Sequence, residues 1–270
     1  MKFKSVALLC VTMIFATPLL SQEPTYTNSL GMEFVLIKSG SMIVGRYQPT
    51  VGKPSSPREE PIYKLAEEMA KKDAMPGFNV NIDRPFYIGK FEVTQEQWQK
   101  IMGRNPSVFK SGNVNDNKSY PVENISWKDA QSFIKKLNAT DKNHTYRLAT
   151  EFEWEYAARA GAQDDIPWTE IRVSAVLSGA SPSAIGQKKP NAWGIYDMLG
   201  NVWEWVQDYY NEKIFPDPSP PRSGKEHVLK GASFTSDVKN ATYMTHAAGP
   251  GNGFDIGLRI VMEVKSNGNK

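Results

Sequence analysis

Cysteine is all but missing from this chain. Its one copy, Cys10, lies in the first apolar run, so the part that folds has neither a disulfide nor a thiol and must rely on its core. Histidine is nearly as scarce. His144, His227 and His246 are scattered without metal-ligand spacing, which reads as surface or packing histidine rather than as zinc ligation. No serine sits in a recognisable nucleophile elbow, and there is no glycine-rich phosphate loop, internal repeat or low-complexity tract. A charge excess is missing as well. Taking Lys2 and Lys4 from the 32 basic residues leaves 30 against 29 acidic ones, which gives no footing for nucleic acid or an anionic membrane surface.

Those two lysines open a segment of their own. Lys2 and Lys4, the apolar run Val6–Leu20 and the small Ser21 form a secretory signal peptide over residues 1–21. Ala7-Leu8-Leu9-Cys10 is a poor lipidation signal, because Leu9 is large and the apolar run continues past Cys10. The expectation is an exported protein, periplasmic or secreted, with no stable membrane insertion. The remaining 22–270, in a chain that is 40% hydrophobic and 23% charged, has the composition of one globular domain.

Along that domain, Met32–Ile37 and Ser41–Gly45 read as two short strands. From Arg46 to Asn81 periodicity is lost among Pro49, Pro54, Pro57 and Pro61 and the charged run Lys64–Asp73. Leu65, Ala66, Met69 and Ala70 outline one amphipathic helix in what reads as a surface insertion at 46–81. A strand over Arg84–Thr94 follows. Three helices then announce themselves by capping pairs: Thr94 with Gln97, Ser126 with Asp129, and Thr150 with Glu153. The second places Ala130, Phe133, Ile134 and Leu137 on one face. The third turns Trp154, Ala157 and Ala158 inward and leaves Glu155–Arg159 as an exposed i,i+4 pair. After Gly161 helical patterning fades, with Val228–Phe234 and Gly257–Met262 as closing strands. Helices early and irregular β-structure late, without βαβ alternation, indicate α+β.

The densest stretch is Gly194–Trp205, with two tryptophans, Asp197, Asn201 and Glu204 around a Gly200-Asn201 turn. Both turn residues tolerate positive φ, and the alternation after them is that of a strand. Asp197, Asn201 and Glu204, with carbonyls that the turn exposes, form a set of hard oxygen donors suited to Ca²⁺. The same spacing also fits a tight turn in a tryptophan-rich core, with Glu204 bonded to backbone amides, and no EF-hand pattern decides between them.

Seven blocks occur in a characteristic order: Asn28–Val35, Phe86–Thr94, Pro121–Trp127, Arg147–Arg159, Gly194–Val206, Lys230–Phe234 and Gly257–Val261. Together they resemble the sulfatase-modifying-factor family, that of the formylglycine-generating enzyme. The resemblance implies an irregular α+β fold related to C-type lectins, with a small twisted antiparallel sheet and little regular secondary structure. It also implies one structural Ca²⁺, held by side chains of Asp197, Asn201 and Glu204 and carbonyls of Gly200 and Val202. A second calcium site is not expected, since Val173–Gly186 holds no acid. The family oxidises a substrate cysteine through two Cu(I)-binding cysteines separated by four residues. Their positions correspond here to Ala241 and His246. Copper(I) selects thiolates, so neither copper nor sulfatase activation is expected. Two functions remain open: a non-catalytic module that binds a protein partner through surface loops, neutralising a secreted effector in one version, or an exported tailoring oxidase like the pyoverdine-maturation relatives.

Overall fold

The computed structural model describes residues 24–46, 53–73, 75–110, 118–214 and 220–264; the signal segment lies outside them. Eleven strands and five helices follow in order: β1 Thr25–Thr27, β2 Glu33–Ile37, β3 Gly40–Val44, α1 Glu60–Asp73, β4 Phe78–Ile82, β5 Phe86–Gly89, α2 Gln95–Met102, α3 Trp127–Thr140, β6 Tyr146–Leu148, α4 Glu151–Arg159, α5 Trp168–Ser174, β7 Trp203–Tyr209, β8 His227–Lys230, β9 His246–Ala248, β10 Ile256–Leu258 and β11 Ile260–Glu263. The class is α+β, as the patterning predicts. Three sheets take the place of one: β1-β2-β5-β11-β6, β10-β7-β8-β9 and the pair β3-β4. All pairings are antiparallel except β10 with β7.

Strand alternation divides the interior. Successive side chains leave a strand on opposite faces, and here each face has its own core. Phe34 of β2, Ile260 and Met262 of β11, Trp205 of β7 and Leu229 of β8 join the core built on α2 and α3. Their neighbours Val35, Ile37, Val261, Val206 and Val228 join the core beneath α4. These strands are therefore apolar on both sides, and a one-residue slip would exchange the two sets. Within the first core Trp98 stacks on Phe133 at 5.0 Å and 3°.

All three predicted capping boxes are present, with each cap hydroxyl accepting from the N3 amide and the N3 side chain reaching back. The inward faces of α3 and α4 hold the predicted apolar residues. Three features depart from the sequence reading. The 46–81 stretch ends in regular structure, because its last residues belong to β4, paired with β3 from Gly40↔Ile82 to Val44↔Phe78. The helix inside it forms, yet Ile62, Leu65 and Met69 remain 71%, 59% and 56% exposed. Helical structure also returns after Gly161, as α5, which buries Ile171.

A further departure concerns charge. Glu155 and Arg159 are 0% and 4% exposed, not a solvated pair. Their partner is Lys230, 75 residues downstream on β8, whose Nζ lies 3.1 Å from Glu155 Oε2. An i,i+4 spacing fixes that two side chains meet, and only the tertiary packing decides whether they meet in water.

The closing segment breaks at Arg259. Residues before it pair with β7 and residues after it with β5 and β6. This change of sheet turns the Arg259 side chain inward, toward the tryptophan-rich turn.

Candidate functional site

The turn holds Asp197 at φ 59° and Asn201 at φ 67°, the left-handed region that Asp and Asn tolerate better than other side chains. Gly200 serves another purpose than positive φ. A Cβ there would stand 2.5 Å from the Val176 carbonyl, so only glycine permits the approach. The Asn201 amide then donates to Val176 O at 2.9 Å, and its carbonyl accepts from Phe234 N at 2.8 Å.

Side chains converge beneath the turn. Asn201 Oδ1 accepts from Ser183 N at 2.9 Å, and its Nδ2 donates to Glu92 Oε2 at 2.6 Å. Val202 N donates to Glu92 Oε1 at 3.1 Å. Asp197 Oδ2 accepts from Gly186 N at 2.7 Å, while Asp197 Oδ1 is buried without a hydrogen-bond partner. Glu204 accepts from Trp154 Nε1 at 2.6 Å and from Arg259 at 2.7 and 3.1 Å. Arg259 spends its remaining donors on Gly89 O and Tyr196 O. Glu204 is thus held by a guanidinium and an indole, not by the backbone amides of the turn reading.

Glu92 is the residue that sequence reasoning missed. It stands 109 positions from Asn201, and its one local signal was an acid inside the strand block Phe86–Thr94. Three buried carboxylates therefore face one guanidinium. Burial, then the charges of Asp197 and Glu204, push the Glu92 carboxyl well above the usual range. Burial likewise raises Asp197, against the Gly186 amide and Arg259.

The five residues expected to hold calcium, Asp197, Gly200, Asn201, Val202 and Glu204, are brought together at this turn. Their chemistry fits a hard cation: an orphaned carboxylate oxygen, uncompensated negative charge and two backbone carbonyls. Among the described residues, no three His, Cys, Asp or Glu side chains form a metal-binding group. The expected side-chain ligand Asn201 Oδ1 already accepts from Ser183 N, and the Glu204 oxygens accept from Arg259 and Trp154, so a calcium ion would have Asp197 Oδ1 and the carbonyls of Gly200 and Val202 and would share the other two.

The positions matched to the copper cysteines lie elsewhere. Ala241 is fully buried. His246, on β9, faces Glu151 with Nδ1 3.1 Å from Oε1. Lys230 Nζ lies 3.8 Å from the same oxygen, and Arg159 binds Glu155 at 2.7 Å. Burial raises the Glu151 carboxyl, but His246 and Lys230 outweigh it, and the group titrates below an ordinary glutamate. A pocket of about 600 Å³ is lined by Arg159 and Tyr243 from this side and Asp197 from the other, among apolar residues such as Ile166 and Leu199. No helix among the described residues is long and apolar enough to cross a membrane.

Known proteins similar to this chain bear on its family and fold. The chaperone protein LppX of Paenibacillus barcinonensis is 30% identical over 234 residues, 65% of this chain and 79% of that one. The formylglycine-generating enzyme of Mus musculus is 29% identical over 166 residues, 53% of this chain but 41% of the enzyme. The chain therefore spans less than half of that relative. The structure of PvdO from Pseudomonas aeruginosa superposes with a TM-score of 0.71 at 22% identity, covering 90% of this chain and 99% of that one, a likeness of fold. Residues 21–264 match the sulfatase-modifying factor enzyme 1-like domain, and with the ordered blocks and the turn in place, the chain belongs to that family.

Proposed function

We propose that this protein is an exported, non-catalytic binding protein, a calcium-stabilised scaffold that engages a protein partner through its surface loops. One observation carries the reading. Where the enzymes of the family bind Cu(I) through thiolates, this chain has Ala241 and His246, and His246 belongs to a charge cluster that neutralises itself. A single histidine does not replace two thiolates for Cu(I). The name of LppX, a chaperone, supports a protein partner. So does the apolar stripe Ile62, Leu65 and Met69 left in solvent on α1, since such residues gathered on one helix face mark contact surfaces. Calcium in this reading holds the turn and reacts with nothing.

The experiment has two arms. A sulfatase-type cysteine peptide incubated with the protein, Cu(I) and O₂ is expected to keep its mass. Cross-linking in the exporting cell, followed by mass spectrometry, is expected to capture a discrete partner. Formylglycine formation would sink the reading.

One feature favours a second reading, an exported tailoring oxidase. Asp197, with an unpartnered oxygen, lines the 600 Å³ pocket, and a buried carboxylate of raised pKa in a cleft suits proton abstraction. A mass change in a small-molecule extract treated with wild type, absent with Asp197→Ala, would favour it.

A further inference from the structure

A second cleft, of about 730 Å³, opens between α3, the edge strand β6, the end of β7 and the start of β8. It belongs neither to the turn nor to the copper position. Helix α3 is two-faced. Ala130, Phe133 and Leu137 fill the core, while Trp127, Gln131, Lys135 and Asn138 line the cleft. That ridge runs about 16 Å at 1.5 Å per residue, the length of about five residues of extended peptide.

The chemistry of the wall favours anions. Lys135 and Arg222 line it with no ion-pair partner among the described residues. The amides of Gln131 and Gln207 add neutral hydrogen-bonding groups. His227 is clamped between Trp127, at 3.6 Å and 5°, and Tyr209, at 4.3 Å and 27°. Both faces of its ring are covered, so only an edge meets the cleft, and ring edges carry positive partial charge. Arg147 is spent on Glu153 and Glu263. The one acid in the lining, Asp208, is turned toward the Glu151 amide, from which it accepts at 2.6 Å.

The backbone edge is closed. Asn138 takes both the amide and the carbonyl of Tyr146, and Arg147 takes the carbonyl of Leu148. An incoming segment is therefore read by side chains and not by strand addition.

We infer that this cleft binds an acidic peptide segment, with Asp or Glu carboxylates of the partner held by Lys135 and Arg222 and its amide groups by Gln131 and Gln207. The inference rests on the protein-binding reading and names the kind of partner.

A fluorescein-labelled hexaglutamate peptide is the probe, titrated against the full mature chain by anisotropy, with hexalysine as control. Saturable binding of hexaglutamate alone is expected. It should weaken about tenfold in a Lys135→Glu/Arg222→Glu double variant, the sum of two modest exposed charge contacts. Both residues are exposed, so the melting temperature should hold. A Lys64→Glu/Lys239→Glu double variant makes the same change in net charge away from the cleft and should bind as wild type does. Equal weakening by both variants, or none by either, overturns the inference. Citrate that competes as well as the peptide does also overturns it, by making the ligand a small acid.

The partner cross-link separates the two claims. If the cleft variant still captures the partner, the cleft is wrong and the binding function stands. If wild type captures none, the function fails, and the peptide titration decides the cleft alone.

Discussion

Two buried charge clusters sit within one small fold, and they balance differently. Beneath the turn, Glu92, Asp197 and Glu204 gather around Arg259, with Lys188 acting on Asp197 from further off, and Asp197 Oδ1 is left without a hydrogen-bond partner. At the position matched to the family's copper cysteines, Glu151 and Glu155 meet Arg159 and Lys230, with His246 beside them. Buried charge is costly unless compensated. The second cluster supplies its compensation from the chain; the first is short of positive charge in a way that a divalent cation would correct. The contrast is between a cluster whose charges cancel within the chain and one where, on the calcium reading proposed above, removing the ion would strand acids in the core.

The sharpest way to break this contrast is to remove one compensating charge. Lys230 is fully buried beside Glu155, and Lys230→Met keeps its length without its cation. Unpairing a buried ion pair costs about 3–5 kcal/mol, so the urea midpoint should fall strongly. A loss below about 1 kcal/mol, the value of an exposed pair, would mean that water already serves the cluster.

Next in size is calcium itself. An ion bound only by the folded state contributes about 2.7 kcal/mol at a hundredfold excess over Kd, so a chelator should lower the melting temperature by about 5–10 °C at this chain length. Glu204→Ala is a poor probe, because it also strands Arg259. Asp197→Ala is cleaner. Its φ of 59° costs about 1–2 kcal/mol with or without the ion, so the reading that matters is loss of the calcium response. Identical melting of wild type in calcium and in chelator, with no metal by elemental analysis, would leave the turn as only a turn.

What was legible in the sequence was local. The capping boxes at Thr94, Ser126 and Thr150 and the stripe Ala130–Leu137 depend on residues within two helical turns. The Gly200-Asn201 turn was found, although glycine is there for the approach of Val176 rather than for its φ. What was missed was reached across the fold. Glu155–Arg159 looked like surface until Lys230 arrived from β8. Glu92 had no visible link to Asn201. The alternation Phe78-Asn79-Val80-Asn81-Ile82 was too short to stand out after a stretch rich in proline and charge.

A smaller effect tests the second cluster from its margin. The charges of Glu151, Glu155, Arg159 and Lys230 cancel without His246, so His246→Ala should cost about 1 kcal/mol, a lost packing and polar contact. A loss as large as that of Lys230→Met would show that the histidine is part of the balance, and the contrast with the turn would need revision.

The smallest expected effect belongs to a histidine outside both clusters, and it sets the baseline for pH work on either. Burial holds the His227 pKa below its ordinary 6.5, although the carbonyls of Gln207 and Asp208 oppose it. Below pH 6.5 the unfolded chain takes up this proton before the folded one does, so stability falls as pH drops through that window and is recovered as pH rises. Asp141 acts in a separate window. Burial opposes its ionisation, but Tyr146 and His144 hold its pKa down to about 2. Its contribution is full above the ordinary 3.8 and is lost only as pH falls toward 2. Urea midpoints from about pH 7.5 to about pH 5 cover the histidine range, in which the raised carboxyl of Glu92 acts with the opposite sign, so the reading is the difference between wild type and variant. His227→Phe preserves a ring between Trp127 and Tyr209 and removes the titration, so the slope should flatten while stability near neutrality stays close to wild type. A slope that survives the substitution unchanged belongs to another group and would sink the assignment to His227.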